Sequence, residues 1–149
     1  MKSIYQEVNK LGSAVKQEGD RNACTVYSFA ACFQVPYDVA YEYASTMWGR
    51  FKGKGVSTHR IMITFGHTRE SIREVLGRPV NMVRARQDYK QPSGEIISRQ
   101  MTLSTFCKQY PKGTYFVLVD RHALAIIDGE ILDHSDMPKR RIKHAWKIA

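Results

Sequence analysis

Two apolar runs joined by Asp128-Gly129 constrain the fold of this chain more than any other sequence feature. An Asp-Gly pair between apolar residues is a strong signal for a two-residue β-hairpin turn, because both positions of that turn require a positive φ. His122–Ile127 and Glu130–Asp133 are therefore predicted to be antiparallel strands. Since side chains alternate between the two faces of a strand, the turn also determines which residues share a face.

The last third of the chain contains further strand-like segments. Thr114–Val119 is a continuous apolar run, and Ile142–Ile148 alternates apolar with mostly basic residues. This alternation predicts a half-buried strand with a basic outer face. Residues 80–84 are a weaker strand candidate. The polar residues 87–98, centred on Pro92-Ser93-Gly94, predict an exposed loop or hairpin.

The first part of the chain has helical patterns. Within Cys24–Phe33 the apolar residues that share one helix face are Val26, Phe29, Ala30 and Phe33. Pro36 starts a second helix that ends at Gly49, because the first turn of a helix does not need the N–H that proline lacks. The predicted apolar stripe of this second helix contains Val39, Tyr43 and Met47, with Ala40 and Ala44.

Three shorter helices are predicted from their capping residues. They begin after Ser57, Thr68 and Thr102 and end at Gly66, Gly77 and Pro111 respectively. Helices that come first and antiparallel strands that come later predict an α+β fold. We expect one domain, residues 1–149, in which N-terminal helices pack on a C-terminal antiparallel sheet.

Composition excludes several classes of protein. The 149 residues are 43% hydrophobic, which is enough for a core of its own, and no apolar run is long enough to span a membrane. The polar start predicts no signal peptide and a cytoplasmic protein without a membrane partner. Three cysteines without a CxxC pair favour reduced thiols, with Cys32 and Cys107 in the core. The histidines lack zinc-finger spacing, so we expect no metal and no cofactor.

Cys24 is predicted to lie on the first turn of an apolar helix. Asp20 or Asn22 is a candidate cap, because a short side chain with an oxygen atom accepts a hydrogen bond from an unpaired N–H at a helix start. The helix dipole there favours a thiolate over a thiol and lowers the cysteine pKa. The alternative is that Cys24 is a small buried residue without chemistry.

The predicted hairpin places a histidine and a carboxylate on one face. With Asp128-Gly129 as the turn, His122 and Asp133 are diagonal neighbours at the open end, about 7 Å apart at their β-carbons. His134 is predicted to point to the opposite face. A carboxylate beside an imidazole can orient a catalytic base. The alternative is that both residues are solvated strand ends.

A cysteine that opens an early helix, followed by a histidine and an aspartate late in the chain, resembles the papain-like cysteine peptidase superfamily. The similarity is greatest to its short bacterial and phage members, including peptidases that trim bacteriocin leaders. The motifs that carry it are residues 22–26 and residues 113–133. The resemblance implies a papain-like fold, a thioester intermediate, and a peptide or protein substrate cleaved at an amide or isopeptide bond.

The same resemblance implies roles for individual residues. Cys24 would be the nucleophile, His122 the general base and acid, and Asp133 the residue that orients the imidazole. The family uses a glutamine before the cysteine as an oxyanion donor. Gln17 is the candidate for that role, and Asn22 is the alternative.

A basic segment near the C-terminus suggests a different function. The formal net charge is +9, and the candidate anion-binding residues are Lys139, Arg140, Arg141, Lys143 and Lys147. Such a cluster can neutralise the phosphates of a nucleic acid, so the rival hypothesis is a non-catalytic binding module for nucleic acid or a partner protein. The alternative is a solvated strand face.

Overall fold

A mixed seven-stranded sheet with five helices and a separate two-stranded sheet forms the α+β architecture, as the sequence predicted. The computed structural model describes all residues, Met1–Ala149. The helices are α1 (Ile4–Asn9), α2 (Cys24–Phe33), α3 (Tyr37–Trp48), α4 (Thr58–Phe65) and α5 (Leu103–Gln109). The strands are β1 (Lys2–Ser3), β2 (Ile72–Val75), β3 (Arg78–Val83), β4 (Arg86–Lys90), β5 (Ile96–Gln100), β6 (Thr114–Val119), β7 (His122–Ile127), β8 (Glu130–Asp133) and β9 (Ile142–Ile148).

The large sheet has the strand order β1-β8-β7-β6-β9-β3-β2, and the hairpin β4-β5 stands apart from it. All neighbours are antiparallel except β1 and β8, which are parallel. The two-residue strand β1 was not predicted, because two residues carry no periodicity. It pairs Lys2 and Ser3 with Leu132 and Asp133, so the start of the chain lies beside the strand that carries Asp133.

The predicted Asp128-Gly129 hairpin is confirmed. Ile127 pairs with Glu130, and both turn residues have positive φ, 49° for Asp128 and 75° for Gly129. The Asp128 carboxylate also accepts a hydrogen bond of 3.0 Å from the Gly113 N–H, which ties the turn to the start of β6. A second two-residue turn at Asp120-Arg121 joins β6 to β7.

Helix α2 is buried all round rather than on one face. Every residue from Thr25 to Phe33 is buried, and the helix packs on β6 and β7 on one side and on α1 and α3 on the other. The single apolar face predicted from the sequence was therefore too narrow. A helix with neighbours on several sides has no need of a polar face.

The buried face of α3 also differs from the prediction. Its buried residues are Tyr37, Ala40, Ala44 and Trp48, whereas Val39 is 42% exposed. The two alanines let α3 approach α2 closely, and the large aromatic rings bury more area than the predicted Val39 would.

The helix predicted after Thr68 is wrong, because that segment forms the edge strand β2. Leu76-Gly77, with φ of 51° and 73°, makes a tight turn to β3, whose presence at residues 80–83 is confirmed. Only Val75 of β2 is buried. An edge strand with one buried side chain leaves almost no apolar pattern in the sequence.

Strand β9 is a central strand, so the predicted basic outer face is only partly correct. Lys143 and Lys147 are exposed, but Ala145 between them is completely buried. A register shift opposite Leu118 and Val119 interrupts the alternation near Lys143. The sheet separates two apolar clusters, one under α1–α4 and one under α5. None of the five helices combines the length and apolar character needed to cross a membrane.

Candidate active site

Cys24 is the first residue of α2, as predicted, but no side chain caps this helix. The residue at the cap position is Ala23, and neither Asp20 nor Asn22 bonds to the first turn. The prediction that one of them is the cap is therefore wrong. The first N–H groups of a helix have no partner within it, and at α2 they stay directed toward the space in front of Cys24.

Asp20 instead forms a buried ion pair with Arg50. The two guanidinium nitrogens lie 3.0 Å and 2.8 Å from the carboxylate, and both side chains are at most 1% exposed. Tyr37 and the Gly53 N–H also donate to this carboxylate. Burial raises the pKa of Asp20, but the bonds to Arg50, Tyr37 and Gly53 outweigh it, so the pKa lies below its usual value. Asn22 donates to the Gly53 carbonyl at 3.1 Å, which holds the 49–55 loop against the turn before α2.

His122 and Asp133 form the hydrogen-bonded pair expected from the hairpin register. Nε2 of His122 lies 2.6 Å from Oδ1 of Asp133, and the two side chains are 9% and 3% exposed. Burial lowers the pKa of His122, but the bonds to Asp133 and Cys24 outweigh it and raise the pKa to about 9. Because Asp133 occupies Nε2, Nδ1 is the ring nitrogen left for the Cys24 thiol.

The Cys24 thiol lies beside this imidazole. Burial raises the pKa of Cys24, but hydrogen bonds from His122 and from the Ala123 N–H, together with the charge on His122, outweigh it and lower the pKa below its ordinary value. The first turn of α2 is held by Ser28, whose hydroxyl donates to the Cys24 carbonyl at 2.7 Å. A lowered cysteine pKa beside a raised histidine pKa favours a thiolate–imidazolium pair.

His134 lies on the same side as His122, so its predicted opposite orientation is wrong. Its backbone N–H and its Nδ1 donate to Oδ1 of Asp133 at 2.7 Å and 2.9 Å. Strand β8 ends at Asp133, and the alternation of side chains ends with it. The ligand atoms of His122, Asp133 and His134 lie within 4.8 Å of one another, which is close enough for a divalent metal, and hydrogen bonds to a single carboxylate connect them.

A cleft of about 660 Å³ opens in front of Cys24, His122 and Asp133. Asn22, a predicted oxyanion donor, is among the residues that line it. Gln17, the other predicted donor, is not: it ends a single 3-10 turn, and its side chain lies near the Tyr27 hydroxyl, whose pKa it lowers.

Two residues of this site were not found from the sequence. Tyr5 lines the cleft from α1, and its pKa is raised by burial and by the negative charges of Asp133 and Cys24. Arg50 lies in the loop after α3, where it is buried and pairs with Asp20. Both residues are separated from Cys24 along the chain. No sequence pattern distinguishes a buried arginine in a polar loop from an exposed one.

The basic C-terminal segment is largely bonded within the chain. Arg140 donates to the Asp120 carbonyl at 2.6 Å, Arg141 to the Gln100 carbonyl at 2.7 Å, and Lys143 lies 3.2 Å from the Asp120 carboxylate. Lys139 and Lys147 are exposed and form no ion pair. The predicted anion-binding cluster is thus reduced to two lysines with no partner in the chain.

Comparisons with protein-family models, curated proteins and solved structures gave no match to this chain. The chemistry of the cleft must therefore be inferred from its own residues.

Proposed function

We propose that this protein is a cysteine hydrolase of papain-like type, which cleaves an amide or isopeptide bond of a peptide or protein through a thioester. The observation that carries the proposal is the meeting of three residues distant in sequence. Cys24 stands at a helix N-terminus, beside an imidazole that is held by a buried carboxylate. Each of these surroundings favours an activated nucleophile.

The reaction starts from the thiolate of Cys24 and the imidazolium of His122. The sulfur attacks the substrate carbonyl carbon, and the electron pair of the C=O bond moves to the oxygen. As the C–N bond breaks, His122 gives its proton to the leaving amine. His122 then takes a proton from water, whose oxygen displaces the sulfur and releases the acid product.

Stabilisation of the oxyanion needs donors directed at the cleft. The Cys24 N–H is one, because the first residue of a helix has no acceptor within it. Asn22 is the second, since one N–H of its side-chain amide bonds to Gly53 and the other is left for a ligand. A preorganised donor of this kind is typically worth about 3 kcal/mol in the transition state.

Site-resolved alkylation tests the proposal without knowledge of the substrate. The rate of iodoacetamide addition is measured at each cysteine, by peptide mass spectrometry, from pH 4 to pH 10. We expect Cys24 to react rapidly in mild acid and to lose that advantage in His122→Ala. Cys32 and Cys107 are internal controls, because burial raises the pKa of both thiols.

A reactive Cys24 then justifies a search for substrates. Peptides released from a proteome digest by the wild type and by Cys24→Ala are compared, and cleavages found only with the wild type identify the bond. A Cys24 that titrates like an ordinary thiol, near pH 8.5, would overturn the proposal. Salt-sensitive nucleic-acid binding unchanged in Cys24→Ala would instead favour the rival binding module.

A further inference from the structure

Two Asp-Arg pairs flank the proposed catalytic residues. Asp20-Arg21 precedes Cys24 in the turn before α2, and Asp120-Arg121 forms the turn directly before His122. Arg21 and Arg121 both line the cleft in front of Cys24, one from the turn before α2 and the other from the turn between β6 and β7. In both pairs another side chain neutralises the aspartate, the buried Arg50 at Asp20 and the exposed Lys143 at Asp120.

Arg50 holds the turn that contains Asp20 and Arg21. Its guanidinium neutralises Asp20, and its Nη2 also donates to the Arg21 carbonyl at 3.2 Å. Because the negative charge of Asp20 is balanced by Arg50, it does not compensate the positive charge of the neighbouring Arg21. The backbone of Arg21 is fixed by the same buried group.

The second turn is held by the basic segment. Lys143 pairs with the Asp120 carboxylate, and Arg140 donates to the Asp120 carbonyl. Arg121 occupies a position with φ of 56°, where glycine or asparagine is usual in such a turn. The basic segment thus leaves Arg121 as the uncompensated charge of this turn.

Neither Arg21 nor Arg121 forms an ion pair or side-chain hydrogen bond within the chain, and both are exposed. The only acidic residues that line the cleft are Asp20, paired with Arg50, and Asp133, bonded to histidines. The lining of the cleft therefore carries two arginine charges that no acidic residue of the cleft offsets. A cleft of one sign concentrates ligands of the opposite sign.

We propose that this cleft selects peptide substrates that carry an aspartate or glutamate next to the scissile bond, with Arg21 and Arg121 binding that carboxylate. A guanidinium is suited to this task because its planar N–H groups match the two oxygens of a carboxylate. The inference rests on the proposed function, since it assumes that Cys24 is the attacking group.

The test compares anionic with neutral reagents at the same thiol. Iodoacetate and iodoacetamide both transfer a carbon to the sulfur and release iodide, and they differ in one negative charge. A second pair, the amides of N-iodoacetyl-glutamate and N-iodoacetyl-glutamine, places that charge one side chain away. Rates at Cys24 are measured at pH 6 for the wild type, Arg21→Gln, Arg121→Gln and the double variant.

We expect the ratio of anionic to neutral rate to fall roughly threefold for each arginine removed, as Coulomb attraction over about 7 Å in water predicts. The neutral rates should change little. Arg121→Lys should keep most of the ratio, and added salt should reduce it in the wild type. Arg78→Gln is the matched control, because Arg78 is also exposed beside a hairpin turn but lies outside the cleft.

The outcomes separate the two proposals. If Cys24 reacts rapidly with the neutral reagents, but the ratio is the same in the wild type and the double variant, the charge preference is wrong and the proposed function stands. An equal fall of the anionic-to-neutral ratio in Arg78→Gln would also overturn the charge preference, because the change in net charge alone would then explain the effect. If Cys24 is slow with every reagent, the proposed function fails and this inference fails with it.

Discussion

Asp133 determines the properties of His122. Its Oδ1 accepts hydrogen bonds from Nε2 of His122 and from both the backbone and the ring of His134. A carboxylate in this position keeps the proton on Nε2 and leaves Nδ1 for the thiol. It also stabilises the charged imidazole, which is why the histidine pKa reaches about 9 despite its burial.

Asp133→Asn is therefore expected to lower the pKa of His122 from about 9 toward its ordinary value of 6.5. At pH 8 the protonated fraction of the imidazole would fall by at most roughly 30-fold, because the contribution of Cys24 to the raised pKa remains. An NMR titration of the His122 ring measures this directly, and the alkylation rate of Cys24 should fall with it. In the control, His134→Asn, the bond between His122 and Asp133 is intact, so the His122 pKa should stay near 9.

The same pKa predicts how stability depends on pH. The folded protein binds the His122 proton more tightly than the unfolded chain does, so this contribution is complete below pH 6.5 and is lost as the pH rises through about 9. Cys24, whose pKa is lowered by folding, contributes in the opposite direction over the same window, so the measurement uses Cys24→Ala. The free energy of unfolding of Cys24→Ala should decline over that window, and the decline should be smaller in Cys24→Ala/Asp133→Asn. An equal decline in both proteins would contradict the assignment.

Two hairpin turns with a left-handed glycine make a matched pair at the scale of single elements. Gly77 and Gly129 have nearly the same φ, 73° and 75°, but a Cβ on Gly77 would meet nothing within 4 Å. A Cβ on Gly129 would lie 3.4 Å from the Pro111 carbonyl oxygen and 3.5 Å from that of Cys107, which are ordinary van der Waals contacts. Backbone strain is therefore the cost that the two positions share.

We expect Gly77→Ala to cost about 1 kcal/mol in unfolding free energy, because a left-handed φ is unfavourable for any L-residue. Gly129→Ala should cost about the same, since its Cβ would make only ordinary van der Waals contacts. Urea unfolding measures both. Neither change should alter Cys24 alkylation, because both turns lie away from His122, and a clearly larger loss in Gly129→Ala would contradict the assignment of the cost to backbone strain.

Elements with a local signature could be predicted from the sequence, and those defined by their neighbours could not. The Asp128-Gly129 turn, the caps Ser57 and Thr102, and the strand β6 were predictable because a few adjacent residues determine them. The edge strand β2 was not, since only one of its four residues is buried and the strand exists through pairing with β3. The faces of α2 and α3 depend on which helices surround them.

The buried pair of Asp20 and Arg50 acts on the whole molecule. It joins the turn before α2 to the 49–55 loop, and through the Tyr37 hydroxyl it also contacts α3. Because Asp20 has a pKa below its usual 3.8, its contribution to stability is present above that pH and is lost as the pH falls through the lower folded value.

Arg50→Met should destabilise the protein by about 3–5 kcal/mol, because it leaves a buried carboxylate without its cation. The double variant Asp20→Asn/Arg50→Met should lose less than Arg50→Met alone. Urea unfolding at pH 7 measures both changes, and at acid pH the difference between wild type and Arg50→Met should shrink as Asp20 takes up a proton. A double variant as unstable as the single one would rule out an unpaired charge as the cause.

The candidate site was only partly predictable for the same physical reason. Cys24, His122 and Asp133 each belong to a local pattern, a helix start or a hairpin register, so their positions could be predicted before their contacts were known. His134 could not, because strand alternation ends one residue earlier. Tyr5 and Arg50 reach the site only through the packing of the complete chain.

The distance along the sequence between Cys24 and its partners has a consequence for how the protein is made. A ribosome releases Cys24 long before it has synthesised His122 and Asp133. Until β7 and β8 have formed, the cysteine lacks the His122 imidazole and the Ala123 N–H that lower its pKa, and its thiol is an ordinary one with a pKa near 8.5. Under the proposed function, a nascent, truncated or misfolded copy therefore carries no activated nucleophile, and the proteins around the ribosome are not exposed to one.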